Sequence, residues 1–372
     1  MMPMGHYGIT ESRGFLPATD PLDRLPERYA AWEDVAGNGS TLIMAGRLRQ
    51  TVDRLPVLDP GPLVDGRELE RAMLLLTVLA NAYVRGEGPG TDRLPPSLAR
   101  PLHEVARRLD RPPIVAHASI VLNNWRRIDP ALPLSVTNID TQVTFLGGID
   151  EKWFYLATAG VELAGAAGLA PLLRAQRAAA AGDGGALIAE LTAVTSAIAA
   201  ATDALMAIEK WCDHYVFYHR VRPFLAGWPE PGIRFEGVDD RPRVLTGGSA
   251  AQSSLIQAFD AGLDITHDAP STGGFLAGMR RYMPAGHRRF LADLRAGPSV
   301  REFAGADRDP KPAGAYDEAV RALTALRHKH IGIAARYIRR FERDDGGKGT
   351  GGSDFVHFLR TSREETARGR LR

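Results

Sequence analysis

The sequence predicts an all-α protein, and two observations support that fold class. In the long segments of the chain, apolar residues recur at steps of three or four, the spacing that stacks side chains on one face of a helix. No segment alternates apolar and polar residues over a length that would predict a sheet. At 372 residues the chain is long enough for a large core and for two domains.

Composition and charge exclude several classes of protein. Lys and Arg total 46 against 44 Asp and Glu, scattered along the chain, so we expect neither a nucleic-acid nor a membrane partner. The single cysteine, Cys212, excludes an internal disulfide and a cysteine-rich zinc or iron–sulfur site. Residues 1–15 lack the basic start and apolar run of a signal peptide, and apolar segments such as 72–84 are too short to span a bilayer. We therefore expect a soluble protein of the reducing cytoplasm.

The first third of the chain is predicted to be helical and rich in loops. Three prolines in residues 13–26 predict an extended segment that wraps the surface. The longest helix should end at Gly86, and a loop should follow over 86–97. The predicted helices of this third span residues 27–36, 41–54, 67–85, 101–109 and 115–125.

The helices lengthen from Glu151 onwards. The first of them, 151–182, could be broken at Pro171. Residues 229–246 are predicted to form an irregular connector that ties distant parts of the chain together. The predicted helices of this part span 151–182, 187–208, 211–223, the later part of 247–263, a pair around 274–294, 316–341 and a last helix after 355.

The chain is organised around the predicted helix 316–341. Its periodicity places Arg327 and His330 on the buried face and His328 on the opposite, solvent-exposed face. A guanidinium in an apolar stripe must be paired, so an acidic partner from another segment is implied. Asp260, on the helix that follows the small residues of 247–253, is the candidate.

Three features have alternative interpretations that the residues leave open. His330 is either a core histidine with satisfied nitrogens or an imidazole that binds haem iron within a helical bundle. The small residues that begin 247–263 could bind phosphate, although no Gly-Lys-Ser/Thr ending follows, or could let the backbone lie against a flat ligand. The glycine-rich segment 344–353 is either a mobile loop that closes over a site or a surface connector.

Eight stretches, read together, resemble the indoleamine 2,3-dioxygenase family of haem enzymes, which oxidise tryptophan. They follow one another in order over nearly the whole chain. The stretches are GFLPATDPL (14–22), ARPLHEVARRLDRPPIVAHASIVLNNW (99–125), FYHRVRPFLAGW (217–228), GGSAAQSSLIQAFD (247–260), MRRYMPAGHRRFL (279–291), PSVREF (298–303), LRHKHIGIAARYI (326–338) and GTGGSDFVHFL (349–359).

The resemblance implies an all-α protein in which a small N-terminal domain, 1–145, lies over a large C-terminal domain, 146–372, that binds haem b. His330 matches the family's proximal iron ligand. Two groups of residues accompany it: Arg327 and Asp260 match a pair that supports the helix of the ligand, and Gly248 and Ser249 match residues that lie against the haem.

The resemblance also implies a pocket for an aromatic amino acid. Phe154 and Phe217 would supply flat apolar faces for an indole ring, and Arg222 would bind the carboxylate through paired hydrogen bonds. Thr158 stands where the family typically has a serine, and it keeps the hydroxyl. The other residues that match the pocket are His117, Tyr218, Ser249, Ala250 and Thr350, the last of them in the loop, 344–353, that would close over the substrate.

The implied activity is the opening of the indole C2=C3 bond of L-tryptophan or a related indoleamine by dioxygen, which gives N-formylkynurenine. It requires haem b in the ferrous state, and an electron donor to keep it so. The protein mainly places the ring, and no general base is required.

Two departures from the family pattern bear on the substrate. His117 stands where members often have tyrosine; either its ring is satisfied within the protein, or it favours a substituted or hydroxylated indole. Tyr218 replaces a phenylalanine found in some members, so its hydroxyl needs a partner. The alternatives to a tryptophan dioxygenase are a haem oxygenase of the same fold that tailors a modified indole, and a haem-based gas sensor. A sensor would need no carboxylate-binding arginine.

Overall fold

Helices form most of the structure, a computed structural model that describes residues 2–306, 309–341, 350 and 354–371. Within these ranges sixteen α-helices alternate with short 3-10 and π-helical turns, and strands are few and short. The predicted all-α fold class is confirmed.

The first third contains five α-helices. The predicted helix 41–54 divides in two because Gly46 adopts a left-handed conformation, with φ of 63°, between its halves. The prediction of a long helix over 67–85 is confirmed. The five helices are α1 Ala30–Gly37, α2 Gly39–Met44, α3 Leu48–Asp53, α4 Gly66–Arg85 and α5 Pro96–Arg108.

π-helical turns replace regular helix at several points. The helix predicted over 115–125 was wrong, since this segment contains only one such turn, Ala118–Leu122. Other π-helical turns cover Phe217–Val221, Pro270–Gly274 and Ala335–Arg339. A π-helical turn accommodates an extra residue, so the 3.6-residue period no longer predicts where the next side chains point.

Three long helices follow, α6 Ile149–Gly165, α7 Leu169–Ala181 and α8 Gly184–Met206. The break predicted in this region lies at the 3-10 turn Ala166–Gly168 and not at Pro171. Pro171 sits in the first turn of α7, where its missing N–H removes no helical hydrogen bond. The short helices α9 His214–Val216 and α10 Arg222–Leu225 then flank the π-helical turn 217–221.

The described residues contain five strands, β1 Arg93–Leu94, β2 Trp125–Arg127, β3 Ile139–Thr141, β4 Trp228–Phe235 and β5 Asp239–Leu245. β4 and β5 form an antiparallel hairpin with β1 parallel to β4 at its edge, and β2 pairs with β3. The irregular connector predicted over 229–246 was therefore wrong. Prolines and a register shift between Trp228 and Ile233 interrupt the alternation by which a strand is recognised.

The C-terminal part adds six helices, of which α15 (Pro310–Ala334) packs against α8. The organising helix begins at Pro310, earlier than predicted, because the Asp309 side chain accepts a hydrogen bond from the backbone N–H of Lys311 and caps it. It continues beyond Ala334 as the π-helical turn 335–339. The helices are α11 Ser254–Gly262, α12 Phe275–Arg280, α13 Ala285–Arg295, α14 Val300–Ala306, α15 Pro310–Ala334 and α16 Phe355–Arg368.

Two large groups of buried side chains form the core, and α15 contributes to both. Its N-terminal half, from Tyr316 to Leu326, packs with α7, α8, α11 and α13. Ile333 and, beyond the helix, Tyr337 pack instead with side chains of the first third and of α6. The prediction of two domains divided at residue 145 is untested and stays a prediction.

Two helical stretches, Ile149–Ala181 and Gly184–Lys210, are long and apolar enough to cross a membrane by length and composition. The expectation that no apolar segment reaches this length was therefore wrong. Of the 18 most apolar consecutive residues in each stretch, 61% are buried within the protein in the first stretch and 33% in the second. Core helices of water-soluble proteins have the same length and composition, so these stretches are weak evidence for a membrane span.

Candidate functional site

A cavity of about 240 Å³ lies between α6, the segment 217–225, the segment 248–253, α15 and α16. Most of its lining is apolar. It brings together ten of the thirteen predicted site residues, and Tyr218, Asp260 and Arg327 lie outside its lining. The ten are His117, Phe154, Thr158, Phe217, Arg222, Gly248, Ser249, Ala250, His330 and Thr350.

His330 projects from α15 into one wall of this cavity. It is half-buried, whereas His328 is exposed, as predicted from the helical period. Within the described residues the imidazole of His330 has no hydrogen-bond partner. Burial, together with the nearby charge of Arg327, lowers the pKa of His330 to about 4. At pH 7 the ring is therefore neutral and has a lone pair to offer.

A buried network of charges lies behind His330. Arg327 Nη2 donates to both carboxylate oxygens of Asp260 at 2.6 Å, so the predicted ion pair is present. His267 bridges this pair to α16, with 3.2 Å from Nε2 to Asp260 Oδ2 and 2.8 Å from Nδ1 to Glu365 Oε2. The backbone N–H of Ala269 also donates to Glu365 at 2.9 Å. The network therefore joins α11, α15 and α16.

The charges in this network set one another's protonation. Burial by itself raises the pKa of Asp260, but the charge of Arg327 and the hydrogen bond from His267 lower that pKa to about 2. Burial lowers the pKa of His267, and the Asp260 carboxylate more than reverses this, so that the pKa is raised. Sequence reasoning missed His267 and Glu365, because neither lies on the periodic face of α15.

The wall built by α6 is aromatic. The rings of Phe154 and Phe217 lie 4.6 Å apart between centroids. Thr158, one turn after Phe154, donates its hydroxyl hydrogen to the Phe154 carbonyl at 2.7 Å, so this hydroxyl is already engaged by the helix backbone. Buried Glu151 accepts hydrogen bonds from the backbone N–H groups of residues 145–147 and so holds the start of α6 in place.

Arg222 enters the cavity from the segment that also carries Phe217. Its guanidinium lies 5.1 Å from the ring centroid of Tyr218. Tyr218 itself packs against Phe341, with 5.3 Å between ring centroids. Tyr218 was expected in the substrate pocket, but the structure places it behind Arg222, where a cation–π contact orients the guanidinium.

The segment 247–253 approaches the cavity with its backbone. Gly247 has no room for a side chain, because a Cβ atom there would lie 2.1 Å from the carbonyl oxygen of Leu225. The hydroxyl of Thr350 donates to the carbonyl of Gly248 at 2.6 Å. Apart from Thr350, the predicted mobile loop 344–353 lies outside the described residues.

A polar cluster interrupts the apolar wall at His117. The ring Nε2 of His117 lies 2.8 Å from Oε1 of Glu162, which also accepts a hydrogen bond from the Ser253 hydroxyl at 2.6 Å. The backbone N–H of His117 donates to Gln252 at 3.0 Å. Sequence reasoning missed Glu162. Glu162 follows Thr158 by four residues, so the helical period places both side chains on the same face of α6.

Part of the apolar lining was not predicted. Three of the four π-helical turns named above contribute cavity residues, and among these Ile120 was not predicted. Phe275, Phe355 and Phe358, from α12 and α16, were not predicted either. π-helical turns are frequent at functional sites, and their extra residue is the signal that a regular period misses.

The residues fit a haem group. The neutral imidazole of His330, which has no other partner among the described residues, stands in an apolar wall, and small residues at 247–251 let the backbone come close to a flat ring. Within the described residues no group of three or more His, Cys, Asp or Glu side chains is arranged so that it could hold a metal ion. This fold and cavity define the class of helical haem dioxygenases.

Comparison with known proteins gives the family. The family model for indoleamine 2,3-dioxygenase matches residues 3–369. The chain is 37% identical to indoleamine 2,3-dioxygenase 2 of Mus musculus, over 98% of this chain and 95% of the relative. It is 33% identical to the 6-hydroxytryptophan 2,3-dioxygenase fscD of Fusarium equiseti (98% and 97%) and 32% identical to a protein named myoglobin from Haliotis madaka (98% and 97%). The chain belongs to the indoleamine 2,3-dioxygenase family, as the resemblance implied, and is an enzyme of the tryptophan dioxygenase type.

Proposed function

We propose that the protein binds haem b through His330 and uses dioxygen to open the C2=C3 bond of L-tryptophan or a related indoleamine, giving N-formylkynurenine. The observation that carries this proposal is the neutral imidazole of His330, without a hydrogen-bond partner in the part of the chain that the structure describes, in the same cavity as two phenyl rings and Arg222. When bound, ferrous haem supplies the activation of dioxygen and the exchange of electrons.

The α15 wall contributes a fixed nitrogen. The Arg327–Asp260 pair holds α15 one turn before His330, and His267 and Glu365 tie that pair to α16. A ligand nitrogen must keep its direction to bind a metal well, and groups outside the ligand itself usually enforce this. The buried network would do so here through the helix rather than through the ring of His330.

The facing wall contributes binding and orientation of the substrate. Phe154 and Phe217 offer apolar faces to an indole ring, and Arg222 can donate two parallel hydrogen bonds to an amino-acid carboxylate. The phenyl groups of Phe275, Phe355 and Phe358 line the cavity and would exclude water from it.

At the aromatic wall, Thr158 is the polar residue to consider as a general acid or base. The Thr158 hydroxyl is donated to a backbone carbonyl, which supports a role in shaping the cavity rather than as an acid or base. Ser249, Ala250 and Gly248 would lie against the haem and the amino-acid end of the substrate, and Thr350 would close over it.

The remaining partners follow from the chemistry. An electron donor must keep the iron ferrous between turnovers. We place the protein in the cytoplasm as a soluble enzyme, with no nucleic-acid or membrane partner.

A second candidate is a haem oxygenase of the same fold that acts on a modified indole. The His117–Glu162 pair favours it, because a polar pair in an apolar wall can recognise a polar substituent. The name of the Fusarium relative, a 6-hydroxytryptophan dioxygenase, supports the same possibility for this chain.

Turnover in isotopically labelled dioxygen tests the proposal. Haem-reconstituted, reduced protein is incubated with L-tryptophan, and the product is analysed by mass spectrometry. We expect N-formylkynurenine that contains two labelled atoms. The same reaction with His330→Ala controls for chemistry by loose haem. Uptake of one label would favour a monooxygenase, and no turnover of any indole amino acid would refute the proposed function.

A further inference from the structure

The polar cluster at His117 is built into the cavity wall. His117, Glu162 and Ser253 all line the cavity, and each is less than a tenth exposed. Glu162 Oε1 accepts from both neighbours, at 2.8 Å and 2.6 Å, while its Oε2 has no hydrogen-bond partner within the described residues. Burying a polar group costs free energy unless it is hydrogen-bonded, and Oε2 of Glu162 lacks such a bond within the described residues.

The contact with Glu162 decides what His117 can offer to a bound molecule. A carboxylate only accepts hydrogen bonds, so the Nε2 of His117 carries the hydrogen and donates it. Within the described residues Nδ1 has no hydrogen-bond partner. This second nitrogen is an acceptor when the ring is neutral and a donor when the ring is charged.

Only some chemical groups can satisfy this nitrogen. A hydroxyl group both donates and accepts, so it suits His117 in either protonation state. An aromatic C–H edge or a methyl group suits neither state and leaves Nδ1 without a partner. The cluster therefore favours a hydroxylated ring over a bare or methylated one.

The helix α6 indicates which part of the substrate reaches His117. Phe154 contacts Phe217, which shares a short segment with Arg222. Glu162 follows Phe154 by eight residues, about 12 Å further along the helix at 1.5 Å per residue. A carboxylate bound by Arg222 would hold the amino-acid end beside the segment of Phe217, and the ring would lie along Phe154 and reach towards Glu162 and His117.

We infer that this enzyme selects an indole amino acid hydroxylated on its benzene ring, with His117 as the specificity-determining residue and Glu162 as the residue that positions it. The inference rests on the proposed function, because it names the substrate class of the same cavity. Nδ1 of His117 exchanges a hydrogen bond with the ring hydroxyl, and Ser253 helps to hold the Glu162 carboxylate towards the imidazole.

Matched substrates test the selection. The haem-reconstituted full chain is assayed with L-tryptophan, its 5- and 6-hydroxy derivatives, and its 5- and 6-methyl derivatives, which match the hydroxyl in size. We expect kcat/KM for one hydroxy compound to exceed that of its methyl counterpart by about 10-fold or more, the ratio expected for one good hydrogen bond in a dry site. Dissociation constants, measured from the change in haem absorbance on substrate addition, should show the same order.

Variants locate the selection at the cluster. In His117→Phe the hydroxy-to-methyl ratio should fall to about 1, while Ile120→Val, a change at an apolar neighbour in the same wall, should retain it. Glu162→Gln keeps the shape of the side chain and should reduce the ratio, with the loss appearing mainly as a higher KM for the hydroxy compound.

The possible failures are distinguishable. No preference for either hydroxy compound in the unmodified enzyme would overturn the inference, whether or not His117→Phe folds. A preference that His117→Phe retains would overturn the role of His117. Both results leave the dioxygenase activity intact, whereas absence of turnover with all five compounds would refute the proposed function itself.

Discussion

The two facing walls of the cavity are held in place by different forces. Behind His330, α15 is fixed by buried charges, with Arg327 on Asp260 at 2.6 Å and His267 between two carboxylates. The wall of Phe154 and Phe217 is held by ring contacts and by short helices around a π-helical turn. The first wall depends mainly on directional pairs, and the second mainly on apolar packing.

This difference implies that the two walls tolerate amino-acid substitutions differently. A buried ion pair tolerates no loss of one partner, because the remaining charge stays buried without compensation. Apolar packing accepts changes of similar volume at modest cost. The α15 side, which we propose binds haem iron, should therefore tolerate single substitutions poorly, while the side proposed to bind the substrate can be adapted to different indoles.

The largest effect should come from the ligand itself. His330→Ala removes the only neutral imidazole offered by α15 to the cavity, so we expect loss of stable haem binding and of activity. Haem content is measured by absorbance after reconstitution and gel filtration. His328→Ala, two residues away on the exposed face, is the matched control and should bind haem normally. Unchanged haem content in His330→Ala would disprove the ligand role.

Breaking the support behind the ligand should have the next largest effect. Asp260→Ala leaves Arg327 buried without its carboxylate, so we expect the free energy of unfolding to fall by about 3–5 kcal/mol. Urea denaturation of the haem-free protein measures it. Asp268→Ala, an exposed aspartate just beyond the same helix, should change it by less than about 0.5 kcal/mol. Similar values for the two variants would show that the ion pair does not stabilise α15.

A substitution in the wall that faces α15 should weaken substrate binding and leave haem binding unchanged. Arg222→Ala removes the proposed carboxylate contact, and we expect kcat/KM for L-tryptophan to fall about 10- to 100-fold, as for a hydrogen bond to a charged group. The haem spectrum should stay as it is. The exposed neighbour Arg220 provides the control variant Arg220→Ala. Equal kcat/KM in Arg222→Ala and the unmodified enzyme would count against the contact.

The smallest effect should be a pH dependence confined to the α15 side. The pKa of His267 is raised, so its contribution to stability is complete below about pH 6.5, the ordinary value, and is lost as pH rises through the raised pKa. The unmodified protein should therefore lose stability relative to His267→Phe above pH 6.5. Urea denaturation between pH 5.5 and 8.5 measures the difference, and parallel curves would refute the effect.

The α15 side of the site could largely be read from the sequence. The period of three and four residues placed His330 and Arg327 inwards and His328 outwards, and the need to pair a buried guanidinium indicated Asp260. A regular helix has a fixed period, so the sequence alone predicts which residues share a face. Of the ten predicted residues that line the cavity, the nine other than His330 came from the family resemblance rather than from periodicity.

Other parts could not be read in this way. Prolines and a register shift concealed the hairpin 228–245, and a single π-helical turn stands where a regular helix was predicted over 115–125. Tyr218 lies beside Phe217 in sequence, yet its ring stands behind Arg222 and not in the cavity.

The sequence by itself determined the helical class, the family and the histidine that faces inwards, because these depend on local period and on stretches of matching residues. Only the tertiary structure decided which distant groups meet: His267 and Glu365 behind Arg327, and Glu162 beside His117. Such contacts join residues up to 98 positions apart in the chain, and a local sequence pattern does not predict them. The chemistry of the site depends on these contacts, because the groups within hydrogen-bond distance of a buried carboxylate determine its protonation and its role.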